Sequence, residues 1–369
     1  MNAETRSRAS IRQTGVSTMK MTIRKIAELA GTSRSAVDKV IHDRPGVSEA
    51  VRQEVLRVIE QTGYVPLHER RTAGAPNPRV HTVAVFLPPL NNPYFQALKR
   101  GMDSMAEEIP ALRLEYRYFD PANVDGMLAE LRRLEQQDIS LYLIRGIRSS
   151  RLRDCLNAMG RPVIFVDSVV PDAERLCFIG EDCYRSGRLA ASLLGKTVPP
   201  RGEIAVIGGS PHIAGHKLRM DGFFDVLRTH CPDLRVVEQL SSEDQGVLAY
   251  QRTLRLLDEH PGLCGICNLA GHAGEVGQAI IDRNRQNTVK LVCYNITGDV
   301  AALIRRGIVQ FAISLAPYQQ GQLCMKVTSQ YLLRDIVPPQ DFIRTPVSVV
   351  LDENVEALLE ERQKLGKGS

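Results

Sequence analysis

The stretch AGTSRSAVDKVI, residues 30–41, places a glycine, a serine and an arginine just ahead of apolar residues at helical spacing. Val37, Val40 and Ile41 fall on one side of a helix and point to a core, which leaves Arg34, Ser35, Asp38, Lys39 and His42 on the outer side. Gly31 suits the end of a preceding helix and Ser33 the N-cap of the next. Upstream, Thr22 can cap a helix whose apolar positions are Ile23, Ile26, Ala27 and Ala30. Downstream, after the loop DRPGV, Ser48 can cap a third helix with the stripe Val51, Val55, Val58 and Ile59, ended by Gly63.

The joint between the first two helices is only Gly31-Thr32-Ser33, the tight turn of a helix-turn-helix. Such a turn projects the start of the second helix, where side chains reach base edges in a major groove. Arg34 suits bidentate bonding to guanine and Ser35 is a short, permissive partner; Lys39 and His42 lie one to two turns further on. Ser33 holds the cap beside them, and Thr22 with Ile23 and Val47 with Ser48 mark two helix starts able to take phosphates. Spacing alone also permits a three-helix module that binds protein.

The segment MTIRKIAELAGTSRSAVDKVIHDRPGVSEAVRQEVLRVIEQTGYVP, residues 21–66, resembles the DNA-binding head of the lac repressor family. The likeness covers the T-I-x-x-I-A-x-x-A-G-x-S opening, the P-G-V-S before the third helix and the closing G-Y-x-P. The family's usual Thr-Val-Ser-Arg-Val-Leu-Asn is here Ala36-Val37-Asp38-Lys39-Val40-Ile41-His42. An aspartate near phosphates is unfavourable unless it pairs, with Lys39 or Arg34 as the nearest cations, so a non-standard operator is expected. The resemblance also implies a hinge helix after G-Y-x-P that wedges a leucine into the minor groove. Here the segment reads LHERRTAGAPNPR with Ala73 at that place, too small to unstack a base step. Arg70 and Arg71 remain as groove or backbone contacts, and a flexible tether is the competing reading.

Charge agrees with a cationic head on a neutral body. Residues 1–79 carry 14 Lys+Arg against 8 Asp+Glu, whereas the remaining residues carry 33 against 34. No run is apolar enough to span a membrane and the first twenty residues lack a secretory pattern, so a cytoplasmic protein with no membrane partner is expected. Eight scattered cysteines suit free thiols; Cys264 and Cys267 form a C-x-x-C inside LCGICNLA, a strand that would turn them to opposite faces.

Residues 80–362 alternate β-rich runs with amphipathic helical stretches: HTVAVFLP, RLEYRYFD, ISLYLI and PVIFVD, then GEIAVIG, RVVEQL, GLCGICNL and TVKLVCYN. About ten strands in two series predict two doubly wound lobes of parallel sheet with a cleft at the strand C-termini. The expected architecture is thus a small all-α helix-turn-helix head, 19–66, a linker, 67–79, and an α/β body, 80–362, flanked by a disordered tail, 1–18, and a short C-terminal tail, 363–369.

The body resembles the periplasmic sugar-binding proteins of the ribose-binding type through PLNNPYFQALKRG, PVIFVDS, IGEDCYRSGRLAA, HKLRMDGF and LVCYNITGD. That resemblance implies a ligand site at Asn92, Tyr94 and Phe95, the rings stacking on a sugar and the amide bonding a hydroxyl, with Asp167 accepting from hydroxyls. Lys217 stands where the family has arginine and Asn295 where it has aspartate; Pro88 and Leu315 remove polar groups, and His272 is the nearest polar side chain after Asn268. A polyol, a modified sugar or an acidic sugar all remain open as effector.

Enzymatic motifs fail. LLGKT lacks the first glycine of a phosphate loop and sits at a helix end, and GGSPH has His212 in place of the second glycine of a nucleophile elbow. No catalytic residues, metal set or cofactor motif are expected, and the resemblance implies a homodimeric, ligand-responsive regulator on a near-palindromic operator, with repression the family's usual outcome and corepression or activation fitting the same physics. A sugar-modifying enzyme is the other-class alternative.

Overall fold

The structure, a computed structural model, describes residues 23–41, 44–62, 64 and 79–366. Contacts divide the chain between residues 65 and 66 into two compact units. The expected tail 1–18, most of the linker 67–79, and with them Thr22, His42, Arg70, Arg71 and Ala73, lie outside the described residues.

The head holds three helices, α1 (Ile23–Leu29), α2 (Arg34–Ile41) and α3 (Glu49–Thr62). Ile26, Ala27, Val37, Val40, Val55 and Val58 close a small core between them. Gly31 takes φ +59, the left-handed conformation that glycine tolerates best, and turns the chain from α1 into α2. Ser33 then accepts the Ala36 N–H at 3.1 Å as the N-cap of α2.

The second unit contains two six-stranded sheets. Its elements run β1 (His81–Leu87), α4 (Pro93–Glu107), β2 (Leu112–Tyr118), α5 (Val124–Glu135), β3 (Ile139–Ile144), α6 (Ser150–Met159), β4 (Val163–Val166) and β5 (Cys177–Gly180) in the first lobe. The second lobe follows with α7 (Cys183–Gly195), β6 (Glu203–Gly208), α8 (Ala214–His230), β7 (Arg235–Ser241), α9 (Gly246–Glu259), β8 (Leu263–Asn268), α10 (Ala273–Asp282), β9 (Lys290–Tyr294), α11 (Gly298–Arg305) and β10 (Val309–Ser314). The chain closes with α12 (Pro317–Arg334), β11 (Phe342–Arg344), β12 (Ser348–Val350) and α13 (Asp352–Gly366). The last helix runs past residue 362, where sequence placed the end of the body.

Strand order is β11-β5-β4-β3-β1-β2 in one sheet and β12-β10-β9-β8-β6-β7 in the other, the same order twice. Central strands such as β1 are buried along their whole length, as a sheet covered on both faces requires, while the edge strands β2 and β7 are mostly half-exposed. Among the described residues there are twelve strands rather than about ten, and β12 pairs antiparallel with β10. Segments of three residues such as FIR and SVV carry no period to read, and the sheet edge beside them fixes their conformation.

Three crossings join the lobes: between β5 and α7, between β10 and α12, and between β11 and β12. Helix α7 therefore packs on α8 in the second lobe, and α12 on α4 in the first. Both pairs are glycine-mediated. A Cβ on Gly101 would sit 2.0 Å from the Tyr318 carbonyl oxygen, and one on Gly222 would sit 2.0 Å from that of Tyr184. The exchange lets one apolar cluster run through both lobes, from Val85 and Leu98 to Val206 and Phe223.

Candidate functional site

In the head, the exposed Ser35 and half-buried Arg34 stand at the start of α2, with the exposed Ser33 capping it. Lys39 is half-buried and its ammonium donates to the Gly46 carbonyl at 3.4 Å, which ties α2 to the loop before α3. Ser48 is exposed, and its hydroxyl oxygen is 3.5 Å from the Val51 N–H; Val47 beside it is half-buried. Ile23 is only 8% exposed, so its side chain belongs to the head's core and only its backbone marks the helix start.

Asp38 corrects the sequence reading. It is buried rather than outward, and its carboxylate pairs with Arg44 at 3.3 Å. The reason is local geometry: Arg44 N–H donates to the Lys39 carbonyl at 2.8 Å, which folds the loop back over α2. The pair removes the repulsion that a phosphate-facing aspartate would cause.

In the body, the C-terminal ends of both sheets border a cleft of about 950 Å³. All seven residues expected from sequence, Asn92, Tyr94, Phe95, Asp167, Lys217, His272 and Asn295, line it. Pro88 and Leu315 line it as well. Their local chemistry differs from expectation in three ways.

First, the aromatic pair does not offer an open stacking face. Tyr94 and Phe95 are both 7% exposed and meet edge to face at 5.0 Å. The Tyr94 hydroxyl donates to Gln320 of α12. Burial, followed by the charges of Asp167 and Glu181, holds that phenol well above its usual pKa. The Phe95 ring is covered by the Arg145 guanidinium, 5.0 Å from the ring centroid. Asn92 spends its side-chain oxygen on the Tyr94 N–H at 2.9 Å, which caps α4 and leaves the amide NH2 as its donor.

Second, Asp167 is already engaged. Its carboxylate accepts from Arg145 Nε at 2.8 Å, with the two side chains 13% and 5% exposed. Third, the buried cation of the second lobe is not Lys217, which is 58% exposed and bound to Asp221 in the next turn. It is Arg219, 8% exposed, which donates to Glu181 and to the Leu269 carbonyl and lies 4.6 Å from the Tyr294 ring centroid. Burial pulls the guanidinium's pKa down, but the facing Glu181 carboxylate holds it well above its usual value.

The remaining polar wall is built from the second lobe. His216 Nδ1 lies 3.2 Å from the Ser210 carbonyl and 3.7 Å from the Asp244 carboxylate, and burial lowers its pKa. His272, in a left-handed conformation, sits between Glu275 at 3.1 Å and the Asp244 carbonyl at 3.0 Å; the Glu275 hydrogen bond raises its pKa. Asn295 is left-handed too, and its Oδ1 is buried without a hydrogen-bond partner. Sequence reasoning missed Arg145, Arg219, His216 and Asp244. Arg145 was findable as the charge that ends the apolar run YLI, and Arg219 lies two residues beyond the lysine chosen.

The loop between β6 and α8 bridges the cleft. The Arg148 N–H of the first lobe donates to the His212 carbonyl at 2.7 Å, and Ile213 is buried in the first lobe's outer core with Ile147, Leu152 and Val170. The eight cysteines are free thiols; Cys267 is buried in β8, while the half-buried Cys264 donates to the Glu203 carbonyl. Among the described residues one group, Glu238, Glu259 and His260, brings three potential metal-ligand atoms within 4.8 Å. None of the three lines the cleft, and Arg255 pairs with both carboxylates. No described helix is long and apolar enough to cross a membrane.

Comparison with known proteins agrees with this division. Residues 22–66 match the family of bacterial regulatory proteins described as lacI family, and residues 83–334 match the periplasmic binding protein domain. The HTH-type transcriptional regulator DegA of Bacillus subtilis is 27% identical over 219 residues, 56% of this chain and 60% of that protein. Catabolite control protein A of Staphylococcus xylosus is 24% identical over 336 residues, 85% of this chain and 93% of that protein. Among solved structures, GanP, a glucose-galactose binding protein from Geobacillus stearothermophilus, superposes with TM-score 0.69 at 21% identity, covering 75% of this chain and 99% of that one. A helix-turn-helix head of the lacI type followed by a two-lobed periplasmic-binding-protein body makes this chain a member of the lacI family of DNA-binding transcriptional regulators.

Proposed function

We propose that this regulator is a cytoplasmic homodimer that represses from a near-palindromic operator and senses a small hydroxylated ligand in the cleft of its body. The observation that carries the reading is the pairing, on one chain, of a recognition-helix start with exposed Ser33 and Ser35 and half-buried Arg34, and a polar cleft between two bridged lobes. Arg34 reads a base, Ser35 and Lys39 accompany it, and Val47 and Ser48 with Thr22, Ile23, His42, Arg70 and Arg71 complete the DNA-facing set. Asn92, Tyr94, Phe95, Asp167, Lys217, His272 and Asn295 bound the ligand, which is a sugar, polyol or sugar acid; the cleft senses its ligand and does not turn it over.

A ligand that closes the lobes changes how a dimer presents its heads, and coupling of about 1–3 kcal/mol alters operator affinity about 5- to 150-fold. Fluorescence anisotropy with duplexes selected from a random pool tests this. Arg34→Ala is expected to relax preference at one base pair per half-site, about 1–3 kcal/mol, while leaving random-duplex binding nearly unchanged. Equal affinity of the parent for selected and random duplex, with and without small molecules, defeats the reading.

A further inference from the structure

The buried polar groups of the cleft are not all paired. Each carboxylate that lines it has a partner: Asp167 has Arg145, Asp221 has Lys217 and Glu243 has Arg252, while Asp120 accepts from the Ala122 N–H and Asp244 from the Ser210 N–H. Arg145 is different. Its Nε is taken by Asp167, yet neither Nη has a protein partner among the described residues, although the side chain is 5% exposed.

Its two Nη groups carry four N–H donors that line the cleft and are open to a ligand. Asp167 binds the guanidinium on one edge and the Phe95 ring lies beneath it, and the side chain lines the cleft. The Arg148 guanidinium, exposed and without a side-chain partner among the described residues, lines the same cleft, as does His212. A planar pair of N–H donors matches the two oxygens of an oxyanion.

The second lobe supplies the contrast. Leu269 follows β8 as Arg145 follows β3, and each N–H bonds the adjacent central strand, at Ile207 and Phe86 respectively. Asn295 follows β9 as Asp167 follows β4, both left-handed with φ 63. The same two slots thus hold a charged pair in the first lobe and a leucine with an amide in the second. The scaffold does not require the pair.

Resting on the reading of the cleft as a ligand-sensing site, we propose that Arg145 is its specificity-determining residue and selects a hydroxylated ligand bearing an oxyanion, a carboxylate or a phosphate. Asn295 and the Asn92 NH2 serve the hydroxyl end.

The test uses the full-length protein and matched sets of small molecules: five- and six-carbon aldoses and alditols, the aldonic and uronic acids derived from them, and their monophosphates. Thermal shift identifies binders and titration calorimetry ranks them. At least one acid or phosphate is expected to bind about 10- to 100-fold tighter than its neutral parent, and the arm that responds identifies which oxyanion is taken. Arg145→Gln and the charge-balanced double variant Arg145→Gln/Asp167→Asn are expected to lose that preference by a similar factor while keeping operator binding, which reports folding. A neutral parent that binds as tightly as its oxyanion, an unchanged preference in the double variant, or no response from any oxyanion overturns the proposal. A neutral ligand that binds and shifts operator affinity does so while leaving the sensing function intact.

Discussion

The two lobes share a strand order and a pair of glycine-packed helices, yet their cleft-facing ends differ at equivalent places. Asn92 caps α4 through its side chain, whereas the N-cap of α8 is Ile213, which makes no side-chain cap bond and is buried against the first lobe. The first lobe places no histidine on the cleft; the second places three, His212, His216 and His272. A repeated backbone therefore fixes where side chains point without fixing their chemistry. One lobe became a charged, rigid wall and the other a titratable wall with a bridging hook.

Removing one buried ion partner is the strongest way to break the comparison. Arg219→Met leaves Glu181, 4% exposed, uncompensated and should cost about 3–5 kcal/mol in denaturant unfolding of the body. Replacing both partners by apolar residues should recover most of that loss. If the single and double variants unfold alike, the pair is not the source of the second lobe's stability.

The two N-caps come next. Ile213→Ala should cost about 2 kcal/mol or more, because a buried side chain leaves the first lobe's core, and it should expose the Arg148 amide to hydrogen exchange. Asn92→Ala should cost about 1 kcal/mol, the loss of one capping bond, without changing exchange at Arg148. Equal exchange in the two variants means that Ile213 does not hold the lobes together.

The smallest effect is the pH response, which belongs to the second lobe. His216 has a folded pKa below the ordinary 6.5, so the unfolded chain binds more protons and stability falls as pH drops through about 6.5. His272 has a raised folded pKa, so its contribution is present below 6.5 and is lost as pH rises through the folded value. Urea midpoints measured from pH 5 to 8 should show a shallower acid slope in His216→Gln and a shallower alkaline slope in His272→Gln. An acid slope that survives His216→Gln assigns it elsewhere, Asp244 being the adjacent carboxylate.

The helix-turn-helix and the two-lobed body were legible in the sequence because periodicity is a local property of a chain, and the resemblance to ribose-type binding proteins led to seven residues that line the cleft, though not to Arg145, Arg219, His216 or Asp244. Asp38 was not, since its burial depends on the loop bringing Arg44 back over α2. Arg219 was missed because the resemblance was placed on Lys217, two residues earlier, and only the fold shows that Arg219 is the one turned inward. The strands β11 and β12 were too short to carry a pattern.

By itself the sequence determined the head helices, the alternation of strand and helix in the body and the cationic head, all of which follow from spacing and composition. Only the tertiary structure decided that Arg145 lies on Phe95 with both Nη groups free of protein partners among the described residues, that Asp167 is already paired and that Ile213 bridges the lobes. Those facts depend on residues from separate strands meeting at one end of a sheet, a proximity set by packing rather than by position along the chain.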